Sequence, residues 1–194
     1  MTVIVPIVEG QGEVQALPNL LYRIARYLQP DAIIRVNNPI RVKSGSFLHD
    51  ATYFARQMQL AAAKAAQSQG TVLILLDCED DCPAVLGPDL SRRAQAVRND
   101  VTTVVVLAHR EFETWFMTAA RSLRGHASLS LELDAPAAPE QTRGAKEWLS
   151  RHMSVPYDPI IHQLELTRVF DLDEAQANPS FDRLVQKIRI ILTP

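Results

Sequence analysis

Apolar and polar positions follow two alternating periods along the first two-thirds of the chain. Thr2 to Val8 is a short run rich in β-branched residues, stopped by Glu9-Gly10-Gln11-Gly12, and predicts a buried strand. Pro6 cannot donate to a ladder, which predicts a place away from the centre of a sheet. Leu17, Leu20, Leu21, Ile24 and Leu28 recur at helical spacing over 14–28, with Pro18 suited to a first turn. A strand over 32–36, an alanine-rich helix over 46–69 ended by Gly70, and an almost uninterrupted apolar strand over 71–76 follow. Then come a loop over 83–88, a short helix over 91–99, a valine-rich strand over 101–107, and a helix over 111–123 closed by Gly125. Strands alternating with helices predict βαβ units, hence an α/β fold with a mainly parallel sheet covered on both faces.

Beyond Gly125 the texture changes. Residues 127–139 are small, polar and proline-bearing, and helices are expected over 140–152, 159–170 and 180–192, with Pro179-Ser180 capping the last. The reading is an α/β core over 1–126 and a helical C-terminal extension over 127–194 packed on it, a single domain overall. A length of 194 residues agrees with one domain. No run approaches the ~18 apolar residues of a membrane span. The N-terminal Met1 to Pro6 lacks a basic leader, so a soluble, unprocessed chain is expected. Cys78 and Cys82 are too few and too close for a disulfide framework, which points to a reducing cytoplasm.

Chemistry concentrates at strand ends. Asp77-Cys78-Glu79-Asp80-Asp81 sets four carboxylates where the third strand stops, and their repulsion is relieved by a divalent cation. Glu9 and Glu13 follow the first strand, and Glu111 and Glu113 follow the fourth, after His109-Arg110. Loops at the carboxyl ends of parallel strands share one edge, so three of them carry acids to one place. Hard oxygen ligands suit Mg²⁺ or Mn²⁺ rather than zinc. Taken alone, 77–81 is explained as an exposed acidic turn, and Glu111 and Glu113 as ordinary helix-start acids. Gly10 and Gly12 match the first two glycines of a dinucleotide fingerprint, but Gln15 stands where the third should be and there is no P-loop lysine. The histidines lack zinc-ligand spacing. His109 at a strand end is either a proton shuttle or a structural hydrogen-bonding group. Trp115 and Trp148 fall in apolar helical patterns and are expected in the core.

A formal charge of -2 gives no bulk argument for nucleic-acid binding. Position changes that inference. Arg35, Arg41, Lys43, Arg56 and Lys64 outnumber Asp31 and Asp50 between residues 31 and 70, while 71–91 holds Asp77, Glu79, Asp80, Asp81 and Asp89 with no basic residue. A basic strip beside an acidic metal pocket is the layout that phosphodiester cleavage requires. Arg41 and Lys43, in a loop over 41–46, are the candidates for substrate phosphate, with an ordinary solvated loop as the alternative.

Val8-Glu9-Gly10-Gln11-Gly12-Glu13 after one strand and Asp77-Cys78-Glu79 after another resemble the Toprim fold of topoisomerases, primases and overcoming-lysogenization-defect nucleases. The whole chain is similar to domain-of-unknown-function family 4276, small Toprim-like proteins linked with mobile or defence loci. Arg110-Glu111-Phe112-Glu113-Thr114-Trp115 and Asn178-Pro179-Ser180-Phe181 extend that resemblance over nearly the full length. It implies a Mg²⁺- or Mn²⁺-dependent nuclease acting on DNA or RNA. Glu9 would be the metal-proximal or acid/base glutamate, and Asp77 and Glu79 the paired carboxylates. Glu79 replaces the usual aspartate, leaving Asp80 or Asp81 as the alternative partner. With Glu13 and Asp81 added, Glu9, Asp77 and Glu79 make the expected metal set, and His109, Arg110, Glu111 and Glu113 are auxiliary candidates. The alternative is an inert regulatory subunit of a separately encoded ATPase, in either case free of membranes and able to form oligomers. A third reading is a phosphatase or phosphotransfer enzyme acting on small substrates, which needs no basic strip.

Overall fold

The computed structural model describes residues 1–193. Its sheet has five parallel strands: β1 Thr2–Val8, β2 Ile34–Val36, β3 Ile40–Arg41, β4 Thr71–Asp77 and β5 Thr103–Ala108. β1 is central, with β4 on one side and the broken strand β2/β3 on the other; β5 pairs with β4 and forms an outer edge. Pro6 therefore stands in a central strand, contrary to expectation. The carbonyls of Ile4 and Val8 accept from the amides of Asn37 and Val42, so the even-numbered backbone groups of β1 point toward β2 and β3. Pro6 shares that direction and stands opposite the gap between Val36 and Ile40, where no ladder N–H is needed.

The helices are α1 Gln11–Leu28, α2 Ser44–His49, α3 Ala51–Ala66, α4 Pro83–Val97, α5 Thr114–Thr118, α6 Ala145–His152, α7 Pro159–Val169, α8 Leu172–Ala175 and α9 Pro179–Leu192, with 3₁₀ turns at Ala120–Leu123 and Pro139–Gln141. The expected helix over 46–69 is two, because the Asp50 carboxylate accepts from the Thr52 and Tyr53 amides and starts α3 afresh. The expected loop over 83–88 is the opening of α4. Pro83 occupies its first turn, where a missing N–H costs nothing. The last helix is capped by Asn178, which accepts from Ser180 and Phe181.

Alternating strand residues supply two cores. Ile4, Val8, Leu73, Leu75, Val104 and Val106 face α1 and the C-terminal helices, with Trp115 and Trp148 buried among them. Val5, Ile7, Val72, Ile74, Leu76 and Leu107 face α3 and α4. Residues beyond 127 complete the first of these cores: α7 lies along α1, and α9 packs on β5 and α1. Among the described residues no helix is long and apolar enough to cross a membrane.

The approach of α7 to α1 is set by Gly12. A Cβ at that position would overlap the Gln163 side chain and the Pro159 carbonyl, so the glycine serves packing and not a phosphate loop. Gly12→Ala is expected to destabilise the protein by about 2 kcal/mol in urea unfolding, since a backbone carbonyl has to move.

Candidate active site

At the carboxyl end of β1 the chain turns directly into α1, and Glu13 in the first helical turn folds back on that turn. Its Oε2 accepts from the amides of Glu9 and Gly10, both at 3.1 Å. This is the reciprocal half of a capping box, with Gly10 supplying no side chain for the other half. Glu13 is 4% exposed. Burial raises its pKa to about 7; the two amides oppose this, and the charges of Glu113 and Glu9 add to it.

β4 ends in Asp77, whose Oδ1 accepts from the Phe112 amide at 2.8 Å, which ties the ends of β4 and β5 together. Burial pushes its carboxyl well above the usual range, and the neighbouring charges of Glu13 and Glu113 push it further. Glu113, at the start of α5, is 1% exposed. Its Oε1 accepts from Tyr157 Oη at 3.0 Å. Its Oε2 lies 3.2 Å from Lys146 Nζ, close enough for an ion pair but without an aligned hydrogen bond. Burial raises the Glu113 pKa against the pull of Lys146 and Tyr157. Lys146 Nζ also donates to Glu111 Oε2 at 2.8 Å, and Glu111 Oε1 accepts from the Ala145 amide at the start of α6. Burial alone would lower the Lys146 pKa, but Glu113, Glu111 and Asp77 hold it well up.

Glu9, Glu13, Asp77 and Glu113 thus sit within electrostatic reach of one another, with Glu111 beside them. Glu79 and Asp81 do not join them. Alternation along an extended strand would put Glu79 on the face of Asp77, but Glu79 adopts a left-handed backbone with φ 44°, its amide bonds to the Arg110 carbonyl, and the chain turns outward. Glu79, Asp80 and Asp81 are all exposed. Asp80 is held by Arg110 at 2.8 Å and Arg143 at 2.7 Å, whose hydrogen bonds keep its carboxyl below the usual range. Arg110 therefore clasps two loops, its Nε reaching the Glu140 carbonyl. His109 Nδ1 is 3.8 Å from Glu140 Oε2.

Arg41 stands at the rim of the cluster. Its Nε donates to the Glu9 carbonyl at 3.0 Å and its Nη1 to Gln11 at 3.2 Å, while the residue stays exposed. Lys43 is exposed at the start of α2, so 41–46 is the end of β3 and a helix start, not a free loop. Lys146 and Tyr157, the two groups that balance Glu113, come from the C-terminal extension. Neither lies in a motif that marks it in the sequence.

The four carboxylates are an all-oxygen donor set of the kind a hard divalent cation takes. They fit such an ion by chemistry and by unbalanced charge, and not by preformed geometry. Among the described residues, no group of three or more His, Cys, Asp or Glu side chains is disposed to hold a metal ion. Glu13, Asp77 and Glu113 are each engaged by a protein donor instead.

A family model described as a domain of unknown function (DUF4276) matches residues 8–189, a span that includes every residue of the cluster. No curated protein and no solved structure gives a match.

Proposed function

The chain belongs to the DUF4276 family, and we propose that it is a Toprim-type phosphodiester hydrolase, a Mg²⁺- or Mn²⁺-dependent nuclease working at the carboxylate cluster in a defence or mobile-element setting. One observation carries this reading: acids from three strand ends are gathered in one place, where burial raises the proton affinity of Glu13, Asp77 and Glu113 and carboxylate repulsion adds to it at Glu13 and Asp77. Glu9, Glu13 and Asp77 would hold the ion, which when bound polarises a phosphate and activates water. The other tasks belong to the protein's own side chains. Arg41 is placed to take a phosphate oxygen beside Glu9. The raised proton affinity of Glu13 means that an ion binding at neutral pH has to displace its proton. Lys146 fixes the negative charge of Glu113 and Glu111, and keeps the third strand end in place.

Divalent-dependent cleavage of single- and double-stranded DNA and RNA tests the proposal. Activity is expected with Mn²⁺ and is expected to fall at least about 100-fold in Asp77→Asn and in Glu9→Gln. Cleavage that survives both substitutions sinks it. A second reading, an inert regulatory subunit of a partner ATPase, is favoured by the engagement of Lys146 with the acids and by the lack of a ready metal cage. The melting temperature separates the two: at about 100 times Kd, Mn²⁺ raises it by roughly 5 °C for a metal site, and leaves it unchanged for an inert scaffold.

A further inference from the structure

Along the free edge of β5 lies a cavity of about 610 Å³, within the range that holds small organic ligands. Thr103, Val105 and Leu107 form its floor, and the first turns of α4 and the face of α9 form its walls. None of the clustered acids lines it, nor does Lys146. Arg183 and Lys187, one turn apart on α9, face it from one side, and among the described residues neither enters an ion pair. His109 and Glu140 also line it, the buried His109 Nδ1 lying 3.8 Å from Glu140 Oε2 without a hydrogen bond. The cavity's serines are already engaged: Ser180 donates to Asn178 and accepts from Trp115, and Ser91 donates to the Gly87 carbonyl. The cavity thus offers two cations free of ion pairs and one carboxylate, Glu140, against an apolar floor, a net positive lining. A cationic ligand would meet net repulsion there, since Arg183 and Lys187 outnumber Glu140, and a purely apolar one would strip water from the two cations without replacing it.

We propose that this cavity binds an organic phosphate of nucleotide size, with the phosphate on Arg183 and Lys187 and the apolar body against Val105 and Leu107. The choice of a nucleotide rests on the phosphodiester reading of the neighbouring cluster; the cavity and its charges stand without it. Two sources share this chemistry, a free mononucleotide and the 5′-phosphorylated end of a single strand. Gly87 keeps the space open: a Cβ there would touch only Leu107 Cδ1, at 3.9 Å. A large side chain at Gly87 therefore fills the cavity without backbone strain.

Calorimetric titration of the full chain tests the proposal with adenosine 5′-monophosphate, adenosine, and a short single-stranded DNA with and without a 5′-phosphate. A phosphorylated probe is expected to bind, with the unphosphorylated counterpart at least about tenfold weaker. Arg183→Glu with Lys187→Glu is expected to weaken binding by a similar factor, and Gly87→Phe to abolish it without lowering the melting temperature. Tighter binding of the mononucleotide identifies a free ligand, and tighter binding of the strand identifies a substrate end; either supports the site. Asp77→Asn should bind like the wild type, so failure of the cleavage reading and failure of this one are told apart. Absence of binding by both phosphorylated probes, or binding indifferent to Gly87→Phe and to the charge reversals, overturns the proposal.

Discussion

Lys146→Met is expected to destabilise the protein by about 3 kcal/mol at pH 8 and by less than about 1 kcal/mol at pH 5. Methionine keeps the length and helix tolerance of the stem, so the change removes a charge and little packing. Glu113 would be left 1% exposed with Tyr157 as its remaining side-chain donor, and Glu111 would keep only the Ala145 amide. Breaking a buried ion pair from one side costs roughly 3–5 kcal/mol. The low end applies here, because the Lys146 side chain is 39% exposed and water screens part of its interaction. Acidification removes the need for the cation. The carboxyls of Glu13, Asp77 and Glu113 all have raised proton affinity in the fold and are neutralised first as pH falls. Urea unfolding at both pH values measures the difference, with Lys146→Arg as a charge-retaining control. Equal losses at pH 5 and pH 8 would show that packing, not charge, is what Lys146 contributes.

That dependence on Lys146 marks where reading along the chain stops. β1 agrees with its sequence pattern residue for residue, and the strand-end positions of Glu9, Glu13, Asp77 and Glu113 follow from parallel topology alone, because every strand delivers its carboxyl end to one edge. Lys146 and Tyr157 reach Glu113 from 33 and 44 residues away through the packing of α6 and α7, which no local pattern encodes. Glu79 departs from the expected ligand set for a local reason: a residue continuing β4 would share a face with Asp77, but a left-handed turn intervenes. Pro6 departs for a tertiary one from the edge position its type predicts, since its missing N–H falls opposite a gap that only the β2/β3 break creates. Proline content also concealed the opening of α4, although Pro83 is acceptable in a first turn. The C-terminal extension, which carries no motif of its own, thus supplies both the counter-charge of the site and one wall of the cavity beside β5.

Glu13→Gln is expected to stabilise the protein by about 2 kcal/mol at pH 8 and to leave stability nearly unchanged at pH 4.5 and below. The Glu13 carboxyl titrates near 4.5 when unfolded and near 7 in the fold. Below the first value both states are protonated, and the residue adds no pH dependence. Between the two values the unfolded chain releases its proton while the folded one retains it, so stability falls as pH rises. Above about 7 the fold carries the whole penalty, about 3 kcal/mol for that difference in proton affinity. Glutamine stays neutral throughout, and its carbonyl oxygen can still accept from the Glu9 and Gly10 amides, at about 1 kcal/mol less than a carboxylate. The repulsion felt by Asp77 and Glu113 falls as well. Thermal or urea unfolding across pH 4 to 9 reads the effect, and a loss of stability at pH 8 or a gain of equal size at pH 5 contradicts it. The same linkage sets the sign for a metal. A divalent ion binds the ionised carboxylates and displaces their protons, so stabilisation of the wild type by Mn²⁺ should grow from pH 5 to pH 8 and be smaller in Glu13→Gln.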